Sequence, residues 1–327
     1  MKLKRVVTLA AAVLTSVVAA FYLAPALWKP PLVELNRKMA GLSERAVSVD
    51  SHEVRYLEGG KGEVVVLLHG IFGEKDHWVD FARQLTPRYR VIVPDLPGFG
   101  GSSRLAGESY GYAAQMQRLV MLLERLDLKR VHIAGNSMGG TLAALLAMRE
   151  PRRVASVAFI GAPHGIRTPR RSQMDSAIES GESPLIARDA AAFERMLALL
   201  FEQRPYLPYP ILHAARADAI GSATSNQRLW NEQLKDRYLL DEHIGELRAP
   251  ALVLWGEADR LFDASGAWAL RARLKHAQVK LLPGIGHLPM MEAPKLTARV
   301  YGAFLERLRA PSAESATLGS GRSYAQR

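Results

Sequence analysis

The sequence contains no cysteine, and this absence excludes several kinds of chemistry at once. Without a thiol, the chain forms no disulfide bonds and has neither a thiolate nucleophile nor a cysteine-based zinc site. It also lacks the cysteine through which lipoproteins are attached to a membrane. The histidines are not paired with acidic residues at the spacing of metal ligands. We therefore predict no metal and no other cofactor.

The chain is also poor in acidic residues relative to basic ones. It has 43 Lys and Arg against 32 Asp and Glu, a formal net charge of +11 over 327 residues. The excess is spread along the chain, without the dense Lys/Arg tract or the interleaved aromatic residues that are typical of nucleic-acid-binding segments. We predict no nucleic-acid partner, and we expect the positive charge to favour contact with anionic lipid surfaces.

Charge is absent altogether from residues 6–28, a long apolar stretch near the N-terminus. As a helix, this stretch spans roughly 34 Å, which is enough to cross the core of a bilayer. The positive start, "MKLKR", is expected to stay in the cytoplasm, which would place the rest of the chain on the periplasmic side of a bacterial inner membrane. The alternative is a cleaved signal peptide that ends at "APA". Because the apolar stretch exceeds the usual signal core of about 7–15 residues, we favour a single-pass anchor.

The next stretch, "PPLVELNRKMAGLSE", has apolar side chains at close to helical spacing, with Lys and Arg between them. It predicts a juxtamembrane helix, which lies either on the lipid headgroups or against the following domain. Residues 1–43 are therefore assigned to the anchor and this helix. Small side chains along the anchor offer a surface for a homodimer, at Ala10, Ala11, Ala12, Ser16 and Ala19.

From residue 44 the sequence alternates between strand and helix patterns. Continuous apolar runs such as "EVVVLLHG" indicate strands that are buried on both faces. The alternation predicts a mostly parallel sheet with right-handed crossovers, built from residues 44–165 and 250–309. Residues 166–249 interrupt it with helical patterns and no clear strand, so they are predicted to be an insertion. The helical patterns lie around residues 187–203, 209–221 and 225–239.

The C-terminal stretch, residues 310–327, has a different composition from the rest of the chain. It reads "APSAESATLGSGRSYAQR" and is rich in Ser, Gly and Ala. Such a composition provides too little apolar surface to bury, so this stretch is predicted to be disordered.

The segment "GNSMGG" lies between a strand pattern and a helix pattern. It matches G-x-S-x-G, in which Ser137 would sit on the sharp turn called a nucleophile elbow. That turn strains the backbone of the serine, and Gly135 and Gly139 leave room for the chain to pass closely. Taken alone, the motif is equally compatible with a tight turn of small residues.

A serine hydroxyl needs a base, the base needs an orienting carboxylate, and acyl transfer needs donors for the developing oxyanion. The segment "LWGEADRLFD" places three acidic candidates just after a strand pattern, namely Glu257, Asp259 and Asp263. His287 follows in a Gly/Pro-rich loop before the last helix, where core packing does not explain an imidazole. Serine, acid and histidine thus occur in an order that is known among serine hydrolases.

Five motifs in this order resemble those of the α/β-hydrolase superfamily, and the resemblance covers residues 44–309. The motifs are "HGIFG", "DLPGFGGS", "GNSMGG", "WGEAD" and "GHLPMMEAP". The resemblance implies an α/β fold with a mostly parallel eight-stranded sheet, in which residues 166–249 form a helical lid.

The same resemblance implies roles for single residues. The nucleophile would be Ser137, the acid would be Asp259 of W-G-x-x-D, and the base would be His287 of G-H-x-x-x-x-E-x-P. The oxyanion hole would use the backbone N–H groups of Ile71 and Met138.

Other polar residues of these motifs are expected to have structural roles. Asp263 is expected to cap the following helix, His69 to brace the oxyanion loop, and Asp95 to shape the turn after its strand. For His164 two interpretations stay open, a place in the pocket wall or an ordinary loop position.

Serine rather than a carboxylate at the elbow argues against epoxide hydrolases and haloalkane dehalogenases. The stretch from "HEVRYLEGG" to "HGIFGEKDHW", together with the elbow and the anchor, resembles membrane-bound monoacylglycerol lipases and bacterial lipase/phospholipase A relatives. This resemblance implies a serine carboxylic-ester hydrolase that acts on lipid acyl esters through an acyl-enzyme. Two alternatives stay open, a C–C bond hydrolase of the meta-cleavage-product type and a receptor for hydrophobic ligands on the same fold.

Overall fold

The computed structural model describes residues 2–309, and within this range eight strands form one sheet. The spatial order is β1-β2-β4-β3-β5-β6-β7-β8. The strands are β1 (Leu42–Val49), β2 (His52–Gly59), β3 (Val64–Leu68), β4 (Arg90–Pro94), β5 (Val131–Ser137), β6 (Val154–Pro163), β7 (Ala251–Gly256) and β8 (Gln278–Leu282). The β1–β2 hairpin and the β2–β4 pair are antiparallel, and all other neighbours are parallel. The predicted mostly parallel eight-stranded sheet is confirmed.

Thirteen α-helices accompany the sheet within residues 2–309. They are α1 (Lys2–Leu23), α2 (Pro25–Met39), α3 (Val79–Ala82), α4 (Tyr112–Arg125), α5 (Met138–Arg149), α6 (Gln173–Glu179), α7 (Ala190–Leu200), α8 (Tyr209–Gly221), α9 (Ala223–Lys235), α10 (Leu239–His243), α11 (Ser265–Arg273), α12 (Pro289–Glu292) and α13 (Pro294–Arg309). The stretch 310–327, which is predicted to be disordered, lies outside the described residues.

The central strands are buried and mostly apolar because both faces of the sheet are covered. On β3, Val66 and Leu68 point into one core and Val65 and Leu67 into the other, as the twofold alternation of a strand requires. The first core includes apolar side chains of α4, α5 and α11, and the second includes those of α3 and α13. Because these strands are parallel, their carboxyl ends lie at one edge of the sheet, and the helices on its two faces leave that edge open.

The insertion between β6 and β7 is helical, and it contains no strand in the described part of the chain. Helices α7, α8 and α9 correspond to the three predicted segments. Helix α6 was not predicted because it is short and follows a run of charged and polar residues. Its start does carry a local signal, since the Ser172 hydroxyl accepts from the Asp175 N–H and the Asp175 carboxylate accepts from the Ser172 N–H.

The uncharged stretch 6–28 is divided between two helices, because Pro25 at the start of α2 follows a break at Ala24. Helix α1 has no buried side chain, and it is long and apolar enough to cross a membrane by length and composition. Helix α2 packs against the folded domain. Of the two predicted positions for this stretch, on the lipid headgroups or against the following domain, the structure shows the contact with the domain. Lys29 pairs with Asp218 of α8 at 3.2 Å.

A chain of ion pairs fastens α2 to the domain. The guanidinium of Arg37 on α2 donates to Asp76 and to Glu44 of β1, each at 2.6 Å. The Lys75 ammonium, next in the loop after β3, lies 3.1 Å from Glu44 and 2.7 Å from Asp95. Asp95 is fully buried and also accepts from the Lys75 N–H at 2.6 Å. Asp95 also accepts the Gly101 N–H at 2.7 Å, so it shapes the turn after β4 as expected, and through Lys75 it holds the loop after β3 as well.

Replacing Asp95 by Asn is expected to lower the free energy of unfolding by about 3 kcal/mol, because the Lys75 ammonium then loses its buried counter-charge. Urea denaturation of the full chain in a neutral detergent measures this change. The control is Asp80→Asn, which breaks an exposed pair with Arg83 and is expected to cost less than about 0.5 kcal/mol. Equal effects of the two substitutions would contradict the prediction.

Candidate active site

Ser137 stands at the junction of β5 and α5 in a strained backbone conformation. Its φ is 51° and its ψ is −120°, a combination that L-residues rarely adopt. The strand and the helix cross so closely that a Cβ on Gly135 would lie 2.2 Å from the carbonyl carbon of Gly139. A Cβ on Gly139 would lie 2.4 Å from the carbonyl oxygen of Leu68. Both glycines are thus required by close approach, as expected for a nucleophile elbow.

An imidazole and a carboxylate are paired beside this turn. His287 follows β8, Asp259 follows β7, and the His287 Nδ1 lies 2.9 Å from the Asp259 Oδ2. Because a carboxylate only accepts, Nδ1 carries the proton and Nε2 is left as the acceptor. The other oxygen of Asp259 accepts the N–H groups of Leu261 and Phe262 at 2.9 and 3.1 Å. These bonds fix the carboxylate, and the carboxylate fixes the ring.

The two other acidic candidates do not contact His287. Asp263 accepts the N–H of Ser265, the first residue of α11, at 2.9 Å and pairs with Arg170 at 3.1 Å. The N-cap position itself is Ala264, so Asp263 stabilises the start of the helix from one residue before the predicted capping position. These hydrogen bonds lower the pKa of Asp263 against the opposing effect of partial burial. Glu257 is exposed. Geometry thus selects Asp259 among the three acids.

Ser137 and His287 line one cavity of about 600 Å³. The Ser137 Oγ has no hydrogen-bond partner among residues 2–309 and keeps accessible surface. Much of the remaining wall is apolar and comes from the insertion and from α12; it includes Leu185, Phe193, Met196, Leu197, Leu200, Leu212, Met290 and Met291. Residues 2–309 contain no group of three or more His, Asp and Glu side chains that could hold a metal.

Two backbone N–H groups near the elbow are the candidates for the oxyanion hole. Met138 is the first residue of α5, so its N–H has no acceptor within the helix. Ile71 lines the cavity, and its N–H has no acceptor among residues 2–309. Gly70 brings this loop against the elbow, since a Cβ there would lie 3.1 Å from the Ser137 Cβ. Phe72, the residue after Ile71, has a φ of 57°, so the loop is strained as well.

Residues 63–294 match the family model of the alpha/beta hydrolase fold. The chain belongs to this family. It is 29% identical to a monoacylglycerol lipase (abhd6-B) of Xenopus laevis, over 86% of this chain and 89% of the relative. It is also 29% identical to Lipase 1 of Psychrobacter immobilis, over 85% and 89% of the two chains. The solved structure of a membrane phospholipase A, a bacterial virulence factor, superposes with a TM-score of 0.86 at 36% identity, over 94% of this chain and 100% of the other.

In this α/β hydrolase, His69 braces the loop that carries Ile71, as expected. Its Nδ1 donates to the Gly70 carbonyl at 2.7 Å, and its Nε2 accepts the Leu96 N–H at 2.9 Å. Both ring nitrogens are thereby used by the neutral tautomer. Complete burial lowers the pKa of His69 to about 4.

His164 lies behind the site rather than in the cavity wall. It is buried, and its Nδ1 lies 2.6 Å from the Tyr112 hydroxyl. The ring of Phe262 stands between His164 and His287, with centroid distances of 6.0 and 5.5 Å. Burial lowers the pKa of His164 to about 4, so the ring is neutral at physiological pH. It supports the packing beneath the site, and the pocket-wall interpretation is wrong.

Asn136, the variable residue before Ser137, connects the elbow to the histidine loop. Its Nδ2 donates to the Ile160 carbonyl at 2.9 Å and to the His287 carbonyl at 3.0 Å. Sequence reasoning missed this residue, because the motif allows any side chain at its position and the acceptors are backbone atoms distant in sequence.

The end of α7 is held against the histidine loop by a carboxylate that the sequence motif contains but does not explain. Glu292 accepts the Gly286 N–H at 2.9 Å through one oxygen and the Gln203 N–H at 2.9 Å through the other. The His287 N–H itself donates to the Leu200 carbonyl at 3.0 Å. We refer to residues 198–203 as the α7 end.

The acid loop is fastened to the same segment. Arg260, next to Asp259, donates to the Ala198 carbonyl at 2.6 Å and forms an ion pair with Glu202. Both loops that carry the carboxylate–imidazole pair are therefore connected to the α7 end. This part of the insertion is a support of the site rather than a free flap.

Acidification is expected to weaken the fold through His69. Its folded pKa of about 4 lies below its ordinary value of 6.5, so the stabilisation is complete above about pH 6.5 and is lost as the pH falls towards 4. The complete loss is about 3 kcal/mol, at about 1.4 kcal/mol for each pKa unit. Urea denaturation at a series of pH values measures it. In His69→Gln the free energy of unfolding should fall by about 3 kcal/mol less between pH 6.5 and pH 4 than in the unmodified protein. An unchanged pH dependence would show that His69 is not the group responsible.

The Glu292 carboxylate is expected to control local opening of the α7 end. In Glu292→Gln one oxygen becomes an NH₂ group that faces a backbone N–H, and the loss of a charged acceptor costs about 1–3 kcal/mol. Amide hydrogen exchange in residues 198–203 should therefore accelerate about tenfold or more. Glu194→Gln is the control, since Glu194 lies on α7 but pairs only with the exposed Arg204 among residues 2–309. Equal exchange in both variants would refute the role of Glu292.

Proposed function

We propose that this protein is a membrane-anchored serine hydrolase that cleaves acyl esters of lipids. One observation carries the proposal, namely that Ser137, on a strained elbow, shares an apolar cavity with His287, whose ring is bonded to Asp259. The relatives named as lipases and as a phospholipase support the lipid ester as substrate.

The first half-reaction forms an acyl-enzyme. The His287 Nε2 takes the proton of the Ser137 hydroxyl while Oγ attacks the carbonyl carbon of the ester. The N–H groups of Ile71 and Met138 stabilise the negative charge that develops on the carbonyl oxygen. The tetrahedral intermediate then breaks its bond to the alcohol oxygen, which leaves with the proton from His287.

The second half-reaction returns the enzyme to its starting state. His287 takes a proton from a water molecule, and the hydroxide attacks the acyl carbon. The intermediate expels Ser137 Oγ, which recovers its proton from His287, and a carboxylic acid is released. Asp259 remains ionised throughout and stabilises the imidazolium that forms twice in the cycle. No cofactor takes part in these steps.

The apolar wall suits a hydrocarbon chain. The α7 side chains that line the cavity are Phe193, Met196, Leu197 and Leu200. They surround a bound acyl chain and keep water from the ester until the alcohol has left. In this proposal residues 166–249 act as a lid whose α7 end stays attached to the catalytic loops.

The anchor brings this lid to a membrane surface. Helix α2 packs against α8, and the rings of Tyr22 and Tyr209 lie 5.1 Å apart, so the last turn of α1 touches the insertion. With α1 in the bilayer and its basic start in the cytoplasm, the cavity faces the periplasmic leaflet of an inner membrane. A homodimer through the small residues of α1 stays a prediction.

Asp259→Asn is expected to reduce kcat about 10⁴-fold, because an amide cannot hold the imidazole in its working tautomer. Hydrolysis of a p-nitrophenyl ester and of a monoacylglycerol measures this loss. Asp263→Asn is the matched control, four residues away on the same loop, and should retain activity to within a few-fold. Similar losses in both variants would contradict the choice of Asp259.

Ser137→Ala is expected to abolish both ester turnover and covalent labelling by a fluorophosphonate, because the only proposed nucleophile is removed. A panel of monoacylglycerols, phospholipids and a meta-cleavage dienoate tests the reaction class with the unmodified protein. If the folded protein turned over no acyl ester, or if Ser137→Ala remained active, the proposed function would be wrong.

A further inference from the structure

One guanidinium in the cavity wall, that of Arg104, carries a charge that no carboxylate of the described residues balances. The Arg104 Nε donates to the Gly98 carbonyl at 2.6 Å, and its Nη1 donates to the Ser225 hydroxyl at 2.7 Å and to the Asn226 side-chain oxygen at 2.9 Å. All three acceptors are neutral. Among residues 2–309, Arg104 forms no ion pair with an acidic side chain.

The same guanidinium has donors to spare. A guanidinium has five N–H groups, and the bonds from Nε and Nη1 account for three of them. The Nη2 donates to no residue in the range 2–309 and is not enclosed by protein, so its two N–H groups stay available. Burial and the nearby Arg228 lower the pKa of Arg104, as expected of a cation without a counter-charge.

Other charged groups of the wall do not neutralise Arg104. The titratable side chains that share the cavity with it, apart from His287, are Glu74, His77 and Asp218. Asp218 is paired with Lys29 at 3.2 Å. Burial raises the pKa of Glu74, which favours its neutral form. The permanent positive charge of the cavity therefore belongs to Arg104.

The segment that leads to Arg104 and the loop that holds α7 follow strands on opposite sides of Ser137. Arg104 follows β4, which lies on one side of β5 and Ser137, beyond β3. The His287 loop follows β8 on the other side, and the apolar α7 is fastened there. An ester bound with its carbonyl carbon at Ser137 would therefore have the apolar side chains of α7 on one side and the Arg104 guanidinium on the other.

We propose that the Nη2 of Arg104 binds the phosphate of a glycerophospholipid head group and makes the enzyme prefer phosphate-bearing acyl esters over neutral glycerides. This inference rests on the proposed function, and it adds Arg104 as the residue that recognises the head group. Two parallel N–H groups of one guanidinium match two oxygens of a phosphate, and a charged acceptor gives the stronger hydrogen bonds.

A purely structural role makes a different prediction. Through Nε and Nη1, Arg104 also connects the turn after β4 to α9. If that connection were its whole purpose, substitution would slow all substrates alike. A phosphate site instead affects only the substrates that carry a phosphate, so the ratio of two kcat/KM values separates the two roles.

The test compares a lysophosphatidylglycerol with a monoacylglycerol of the same acyl chain, both diluted to one mole fraction in neutral detergent micelles with the full-length protein. Arg104→Gln is expected to lower the kcat/KM ratio of the phospholipid to the glyceride about tenfold or more. Arg104→Lys should recover part of the ratio, because it keeps the charge but loses the planar pair of donors.

The matched control is Arg228→Gln. Like Arg104, which lies 5.9 Å from the centre of the Phe99 ring, Arg228 lies over an aromatic ring and forms no ion pair with an acidic residue in the described part of the chain. It lines an outer groove on α9 rather than the cavity. The Arg228→Gln substitution removes one positive charge, as Arg104→Gln does, and it should leave the kcat/KM ratio of the two substrates unchanged. Thermal unfolding shows whether each variant is folded; if Arg104→Gln is not, Arg104→Lys must still lower the ratio several-fold.

Three results for the kcat/KM ratio would overturn the inference, and a fourth result concerns the product. The three are an unchanged ratio in both Arg104 variants, an equal loss on both substrates, and a ratio that falls as much in Arg228→Gln. A variant that loses only its inhibition by free fatty acid would show that Arg104 binds the product carboxylate, and it would also refute a head-group site. If the unmodified protein hydrolysed neither lipid nor a p-nitrophenyl ester, the proposed function itself would have failed.

Discussion

The hydrogen bond between His287 and Asp259 is the contact on which the rest of the site depends. Both groups are buried, so the bond has little competition from water, and each partner would be costly to leave alone. The loops that carry them are separate in sequence and meet only because β7 and β8 are parallel neighbours. The position of His287 relative to Ser137 is then set by two hydrogen bonds of the His287 backbone: its carbonyl accepts from the Asn136 side chain, and its N–H donates to the Leu200 carbonyl of the α7 end.

The insertion is held very differently at its two sides. At the catalytic side, the α7 end forms several hydrogen bonds, with Glu292, with Arg260 and with the His287 N–H, and the bond from Arg260 to the Phe201 carbonyl is partly buried. At the anchor side, α8 meets α1 and α2 through aromatic contacts and the exposed pair of Lys29 with Asp218. Exposed pairs contribute little free energy. Both attachments hold the insertion, and the one at the catalytic side connects it directly to the loops that carry the carboxylate–imidazole pair.

Much of the fold could be predicted from the sequence, because its signals are local. Apolar runs for strands buried on both faces, the interruption at 166–249, and the G-x-S-x-G turn each depend on residues close together in the chain. The contacts of Asn136, Glu292 and Arg260 could not be predicted in this way. Their partners are mostly backbone N–H and carbonyl groups, which every residue possesses, so no composition or spacing marks the accepting segment.

The sequence by itself determined the order of the elements, the apolar length of the N-terminal helix and the few side chains with the chemistry for acyl transfer. Only the tertiary structure decided which of three acids meets His287, that His164 lies outside the cavity, and that α2 packs on the insertion. It also decided that Arg104 has no acidic partner among residues 2–309. The physical reason is that pairing, burial and charge balance depend on distances between segments far apart in the chain, and folding alone sets those distances.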